Sequence, residues 1–168
     1  MLDIIEPSTP DQLNAVRRLC WDYRDFLLSV EPSDKEVTAT FYPRDKYAEL
    51  MERLEQEHAR PNGAIRLARK DGNPVGCGMF RTLEPGTAEI KRVFVNEAAR
   101  GTGAGFAIMT NLINQCRADG FNRILLDTGS ELVAAQRLYQ SMGFTLRGPY
   151  YDVPDIAKDV LVFYEMQL

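Results

Sequence analysis

A glycine-rich stretch in the middle of the chain, Arg100–Gly105, has the residue types of an anion-binding site. It follows a strand-like apolar pattern and leads directly into an amphipathic helix. The first N–H groups of a helix have no partner within it, and the helix dipole adds partial positive charge there. Alternating glycines let the backbone approach a phosphate, and Arg100 adds a full charge. The spacing predicts a phosphate site; glycines that merely cap the helix are the simpler alternative.

Two well-known phosphate-binding loops do not fit this stretch. It lacks the Gly-Lys-Ser/Thr sequence of a nucleoside triphosphatase loop. Phe106 stands where the loop of a dinucleotide-binding fold needs its third glycine. The sequence therefore favours neither a triphosphatase nor a dehydrogenase.

Several segments together resemble the GNAT superfamily of acetyl-CoA-dependent N-acetyltransferases, in its small, bacterial-type, single-domain form. Arg100–Gly105 is similar to the family's Arg/Gln-x-x-Gly-x-Gly/Ala loop, and Glu89–Val95 resembles the strand before it. Ala135–Phe144 is similar to the family's Ala-x-x-Leu-Tyr-x-x-x-Gly-Phe segment, and Arg123–Thr128 is also typical of the group. The motifs lie in the family's order. One departure is Leu132, where many members carry Asn.

The resemblance implies acetyl-CoA as cosubstrate and no metal. In the family, amides of the glycine loop hold the CoA pyrophosphate, and backbone N–H groups of the preceding strand face the thioester carbonyl and the pantetheine arm. The cofactor-binding positions carried over are Val93, Phe94, Val95, Arg100, Gly101, Thr102, Gly103, Ala104 and Gly105.

Acetyl transfer to an amine needs a proton donor for the leaving thiolate, and Tyr139 is the candidate. Its ordinary pKa of about 10 suits that role, and it occupies the family's tyrosine position. The alternative is that an aromatic ring beside Leu138 on an amphipathic helix simply packs in the core.

Glu89 is the candidate general base, acting through water. Two-residue alternation places it on the same strand face as Lys91, Val93 and Val95. The alternative is a structural carboxylate paired with Lys91 or Arg81. An amine can also lose its proton to solvent before it binds, so a base is not strictly required.

Two further segments are candidates for holding the acceptor. Tyr150 and Tyr151 lie in a Pro-Tyr-Tyr stretch that resembles one in a subgroup of small bacterial GNAT proteins, and their rings could hold a cationic amine. Loop packing or a dimer contact are the alternatives. The polar connection 29–43 lies where the family usually builds its acceptor site, and its acidity hints at a positively charged acceptor. The alternative, and the more common case for a charge-rich loop, is that it is simply solvated. The residues singled out there are Glu31, Asp34, Glu36, Phe41 and Tyr42.

Composition sets the broad class of the protein. With 168 residues, 45% of them apolar and 26% charged, the chain predicts one folded domain spanning 1–168. A net charge of −4 argues against nucleic acid as a partner. No leader or membrane-length apolar run is evident, which predicts a cytoplasmic protein. Three scattered cysteines favour neither disulfides nor zinc. The one histidine, His58, is expected on a solvated helix face.

The predicted elements give a mixed α/β fold of the GNAT, or acyl-CoA N-acyltransferase, type. A mixed sheet of roughly six or seven strands is covered by about four helices. Turn formers at 71–74 and 84–87 predict three consecutive antiparallel strands. A helix is predicted from about 103 to 119, with its buried face formed by Phe106, Met109, Ile113 and Cys116. Residues 29–43 are expected to form a mobile connection.

The leading functional prediction is acetyl transfer to an amine of a small molecule or peptide by direct attack in a ternary complex. The alternative is a catalytically weak acetyl-CoA-binding sensor or interaction module. The family often forms dimers, which makes a homodimer compatible with the resemblance.

Overall fold

The computed structural model describes residues 1–30 and 33–168, without the side chain of Ser33. Glu31, one of the acceptor-loop candidates, lies outside the described residues, as does Pro32. The strands are β1 (Leu2–Ile5), β2 (Gly63–Lys70), β3 (Asn73–Glu84), β4 (Thr87–Val95), β5 (Arg123–Gly129), β6 (Thr145–Arg147) and β7 (Leu161–Gln167). The helices are α1 (Pro10–Ser29), α2 (Ser33–Phe41), α3 (Arg44–Glu52), α4 (Leu54–Glu57), α5 (Ala104–Ala118) and α6 (Val133–Ser141).

The seven strands form one sheet in the order β1-β2-β3-β4-β5-β7-β6. β4 and β5 run parallel, whereas the other neighbouring strands are antiparallel. Asp71 and Gly72 both have positive φ, at 51° and 81°, and make the tight turn between β2 and β3. The predicted mixed α/β fold is confirmed, with α2 and α4 as additional helices.

Each face of the sheet has its own apolar core. On one face α5 and α6 cover a cluster that includes Phe80, Ile108 and Leu112. On the other, α1 and α3 cover a cluster that includes Leu19 and Met79. Because Met79 and Phe80 are consecutive on β3, their side chains point to opposite faces, and the strand contributes to both cores. In the described residues, no helix has the length and apolar character needed to cross a bilayer.

The expected connection at 29–43 is instead partly helical, since α2 occupies Ser33–Phe41. The apolar side of α2 packs in a small buried cluster that contains Val37, Ala157 and Val160. Burying Val37 against that late segment stabilises a helix that a short polar sequence would not maintain alone.

His58 was expected to be solvated, but its side chain is only 2% exposed. Its Nδ1 lies 2.9 Å from the Phe80 carbonyl oxygen, which can only accept, so Nδ1 carries the proton. Burial lowers the pKa of His58 to about 4. The ring is therefore a neutral core residue between α4 and β3.

Candidate active site

The glycine stretch forms the turn that begins α5. Gly101 and Gly103 have positive φ, at 78° and 84°, and a Cβ built on either would have no protein atom within 4 Å. The Ala107 N–H donates to the Gly103 carbonyl at 3.0 Å, so the preceding amides at 104–106 have no acceptor within the helix. Open space and unpaired N–H groups at a helix N-terminus fit a pyrophosphate group.

This turn borders a large cleft of about 640 Å³ between the end of β4, the start of α5 and the start of α6. The Arg100 guanidinium lies at the cleft, 5.0 Å from the centre of the Phe26 ring. Phe106 also lines the cleft and is 55% exposed, so the prediction that it faces the core is wrong. It precedes the buried face of α5 formed by Ile108 and Met109, and helical spacing turns it toward the cleft instead.

The sheet opens between β4 and β5 to create this space. The parallel register ends at the pair Glu89 and Leu125, after which β4 stays with β3 while β5 pairs with β7. The later part of β4 therefore has one edge that no strand of the described residues pairs with. Val93, Phe94 and Val95, the predicted pantetheine-facing positions, all line the large cleft along this edge. Phe94 and Val95 still pair with β3 on the other side, so only the backbone groups on the open edge require partners outside the sheet.

A β-bulge corrects the predicted side-chain alternation on β4. Cys77 pairs with Phe94 but Met79 pairs with Lys91, so β4 contains one extra residue at that point. Arg92 there has φ of 53°. The bulge reverses the alternation. Val93 and Val95 consequently pack with the α5 core, on the face opposite to Glu89 and Lys91.

A small cavity of about 120 Å³ lies on the other side of the opened strands. Residues from α1, α2, β4 and β5 line it, including Asp34, Glu89 and Asp127. Residues that line both the small cavity and the large cleft are called the junction residues: Tyr23, Val93, Thr128, Leu132 and Tyr139. Two molecules bound in the two spaces would meet there.

The position of Tyr139 is compatible with both a core residue and a proton donor. Its side chain is 6% exposed, and its ring packs edge-on against Phe144 and Tyr164, as a core residue does. It is also a junction residue. Burial, and then the Asp127 carboxylate, raise the pKa of Tyr139 above its ordinary value. The phenol is therefore protonated near neutral pH and chemically able to donate.

Glu89 is 3% exposed and surrounded by donors. Arg81 Nε lies 3.0 Å and Lys91 Nζ 3.6 Å from its Oε1, and the Tyr150 hydroxyl donates to Oε2 at 2.7 Å. Burial acts to raise the pKa of Glu89, but Lys91, Tyr150 and Arg81 outweigh it and hold that pKa below its ordinary value. Both ion pairs named as the structural alternative are present, which favours a paired carboxylate over a proton acceptor.

A sequence model described as Acetyltransferase (GNAT) family matches residues 24–144. The chain belongs to the GNAT acetyltransferase family. The matched range begins on α1 and ends just before β6, and it contains the glycine turn, the bulge and every junction residue except Tyr23.

Relatives agree with this assignment. The IAA acetyltransferase of Azospirillum brasilense is 36% identical over 96 residues, 56% of this chain and 63% of that protein. The chain spans about three fifths of the length of curated relatives such as this one. A GNAT-family acetyltransferase structure from Staphylococcus aureus has a TM-score of 0.77 at 19% identity and covers 99% of both chains. The protein yncA of Salmonella typhimurium, solved with its cofactor acetyl-CoA, has a TM-score of 0.69 at 20% identity, with 99% and 93% coverage.

The tyrosine pair of this GNAT chain contacts carboxylates. Tyr150 donates to Glu89, and Tyr151 donates to Asp127 Oδ2 at 2.8 Å. Both rings also pack edge-on against Phe163. Their hydroxyls thus fix two carboxylates of the small cavity, and direct contact of the rings with an acceptor stays a prediction.

Asp127 is the site residue that sequence reasoning missed. It lies near the end of β5, lines the small cavity and precedes the junction residue Thr128. Burial raises the pKa of Asp127, although Lys91 and the Tyr151 hydroxyl counteract it. In the sequence, Asp127 is marked only by its place in the family-like segment Arg123–Thr128. Its position beside the end of β4 is not evident there, because β4 and β5 are far apart along the chain.

The acceptor-loop candidates divide by position. Asp34 and Tyr42 line the small cavity, whereas Glu36 is exposed and Phe41 packs in the cluster around Val37. Leu132, the departure from the family's Asn, precedes α6 without a side-chain capping bond and contributes an apolar side chain to the junction.

Proposed function

We propose that residues 1–168 form one acetyltransferase domain that transfers an acetyl group from acetyl-CoA to an amine of a small molecule or peptide. The observation that carries this proposal is the meeting of the large cleft and the small cavity at the junction residues. A cosubstrate in the cleft and an amine in the cavity would be held for direct attack in a ternary complex.

The large cleft supports the cosubstrate. The unpaired amides at 104–106 and the Arg100 guanidinium bind its pyrophosphate. Backbone groups of Val93–Val95, on the free edge of β4, bind the pantetheine arm and donate to the thioester carbonyl. When bound, acetyl-CoA supplies the acetyl group as a thioester whose sulfur leaves as a thiolate.

Proton transfers are assigned from burial and charge. Tyr139, protonated and at the junction, donates to the leaving sulfur. Asp127, whose raised pKa makes it the better proton acceptor of the two tyrosine-bound carboxylates, takes a proton from the amine directly or through water. Glu89 holds Lys91 in place at the small cavity and also pairs with Arg81 and Tyr150.

The first experiment is calorimetric titration with acetyl-CoA, followed by thiol release measured across a panel of amines. Micromolar binding together with amine-dependent thiol release supports the proposal. Binding without turnover for any amine would favour the acetyl-CoA-sensing alternative. Absence of binding would mean that the glycine turn only caps α5, and the proposed activity would be withdrawn.

A further inference from the structure

The small cavity carries balanced charge rather than the acidity expected from the sequence of 29–43. Among the described residues, three carboxylates and three cationic side chains line it: Asp34, Glu89, Asp127, Arg24, Lys91 and Arg92. A polycationic acceptor would meet as many like charges as opposite ones. The lining favours a ligand that also carries both signs.

Most of these charged side chains already have partners within the protein. Those pairings are Glu89 with Lys91, Asp127 with the Tyr151 hydroxyl, and Arg24 Nε with the Tyr42 carbonyl oxygen at 3.0 Å. The Arg24 guanidinium also lies over the Trp21 and Tyr47 rings. A ligand would have to displace these contacts to use the same groups.

Two charged side chains keep an uncommitted atom. Among the residues that the structure describes, Asp34 Oδ2 and Arg92 Nη1 find no hydrogen-bond partner, and both atoms are buried. Within the described chain, they are the only such atoms that belong to residues lining the small cavity. Asp34 is just 5% exposed. Because a buried charged atom without a partner is costly, the two atoms together indicate a missing ligand with complementary groups.

The backbone is distorted where Arg92 enters the cavity wall. In the described part of the chain, Arg92 and Asp71 are the non-glycine residues with positive φ, and Asp71 lies in a hairpin turn where that conformation is common. Arg92 lies inside β4, at the bulge. A left-handed residue costs roughly 1–2 kcal/mol, and such strain tends to occur where a site requires it. The bulge places Lys91 and Arg92 consecutively along the cavity.

Asp34 is set against the opposite wall, at the end of β5. A Cβ on Gly129 would lie 2.3 Å from Asp34 Oδ1, so the carboxylate can occupy this position only because residue 129 has no side chain. Gly129 follows the junction residue Thr128. Asp34 therefore lies in the small cavity beside the junction, within the space proposed for the acceptor. Burial, and then Glu131, raise the pKa of Asp34, which an ammonium partner would relieve.

We propose that the acceptor is a small zwitterion, an amino acid, held between Asp34 and Arg92. This inference rests on the proposed acetyl transfer. Asp34 binds the ammonium at the junction, and the Arg92 guanidinium binds the carboxylate. The nitrogen forms a C–N bond to the acetyl carbon as the thioester C–S bond breaks. Of the two protons that the ammonium loses, one reaches the sulfur and one is released, giving an N-acetyl amino acid and a free thiol.

The test on the unaltered protein compares matched acceptors by thiol release. Each of the twenty common amino acids is compared with the amine that lacks its carboxylate and with its amide. For the preferred amino acid, kcat/KM should exceed that of the decarboxylated amine by at least about a hundredfold, because Arg92 Nη1 would stay without a partner when the amine binds. The same amino acid should raise the Tm in the absence of acetyl-CoA, while the amine should not.

Two outcomes would overturn the inference without touching acetyl transfer: equal kcat/KM for an amino acid and its decarboxylated amine, or turnover of other amines but of no amino acid. Absence of acetyl-CoA binding would remove the inference together with the proposed function.

Arg92→Gln provides a second, independent test. It should raise KM for the amino acid at least about tenfold and leave kcat/KM for the decarboxylated amine within about threefold, with acetyl-CoA affinity retained. Arg66→Gln is the matched control, since Arg66 is also a buried arginine but bonds to Asn111 and Gln115 on α5. If Arg92→Gln lowers kcat/KM equally for the amino acid and for its decarboxylated amine, Arg92 has a structural role and the inference is overturned. If this variant does not fold, the comparison of acceptors decides alone.

Discussion

The Tyr151 hydroxyl donates to Asp127 Oδ2 at 2.8 Å and so ties the segment before β7 to the end of β5. The preceding residue makes the same kind of bond to a carboxylate on β4, from Tyr150 to Glu89. One short segment therefore positions the two carboxylates on either side of the gap between β4 and β5. Burial raises the pKa of Asp127, whereas Lys91, Tyr150 and Arg81 hold the pKa of Glu89 below its ordinary value. We therefore expect the two carboxylates to have different roles.

Asp127→Asn should reduce kcat more than Glu89→Gln does. A general base contributes about 100-fold or more, so the Asp127 variant should lose at least that factor. Glu89→Gln should cost less than about tenfold in kcat but lower the Tm, because Arg81 and Lys91 lose a buried partner. Steady-state kinetics and thermal unfolding measure both effects. A larger loss of kcat in Glu89→Gln would return the role of base to Glu89.

Tyr151→Phe should shift the acidic limb of the kcat/KM profile to higher pH. The Tyr151 hydroxyl favours the ionised form of Asp127, so removing it raises the pKa of that carboxyl further. Since the base must be ionised, activity is then lost at a higher pH on acidification. Tyr150→Phe removes the equivalent hydroxyl from Glu89 and is the matched control. Equal shifts in both variants would contradict a distinct role for Asp127.

Tyr139→Phe should lower turnover by about 100-fold while changing the Kd for acetyl-CoA by less than about threefold. Tyr164→Phe removes a hydroxyl from the adjacent ring, which lines neither the cleft nor the cavity. It should cost about 1 kcal/mol of stability and leave turnover nearly unchanged, since its hydroxyl bonds only to Gln136 and Gln140 among the described residues. Unchanged kcat in Tyr139→Phe would remove this residue from the mechanism.

Gly103→Val should weaken acetyl-CoA binding by at least about tenfold, because a side chain would fill the space that the pyrophosphate needs. Gly72→Val is the matched control: Gly72 has nearly the same positive φ and equally open surroundings, but it lies in the β2–β3 turn. Both variants should lose roughly 1–2 kcal/mol of stability from strain. Calorimetry that finds equal acetyl-CoA affinity in the two would contradict the phosphate site.

His58 should make the protein less stable in mild acid. The folded pKa of His58 is about 4, so the buried ring stays neutral at pH 5, whereas in the unfolded chain it takes up a proton near pH 6.5. Proton binding therefore stabilises the unfolded state below that pH and lowers the free energy of unfolding. Between pH 7 and pH 5 the loss amounts to about 2 kcal/mol. Urea unfolding should show this loss in the natural protein and not in His58→Asn, which keeps a donor for Phe80. If the natural protein and His58→Asn lose stability equally on acidification, a group other than His58 takes up the proton.

Features set by neighbours along the chain could be predicted from the sequence. The turn at Asp71 and Gly72, the helix that begins after Gly103 and the capping box of Thr9 with Gln12 all depend on a few consecutive residues. The order of these elements and the spacing of the family-like segments were enough to predict the fold and the glycine turn at the start of α5. Local backbone preference and hydrophobic period carry that information directly.

The composition of the small cavity was decided only by the tertiary structure. The bulge at Arg92 arises from pairing with β3, and it reversed a side-chain alternation that holds for an ideal strand. Asp34 reaches the end of β5 because Gly129 leaves room, and α2 is helical because Val37 has a distant apolar partner. Each of these depends on contacts between residues far apart in sequence. Such contacts determine which side chains are buried, and burial in turn sets the charge and the pKa values of the site. Residue spacing alone does not specify burial.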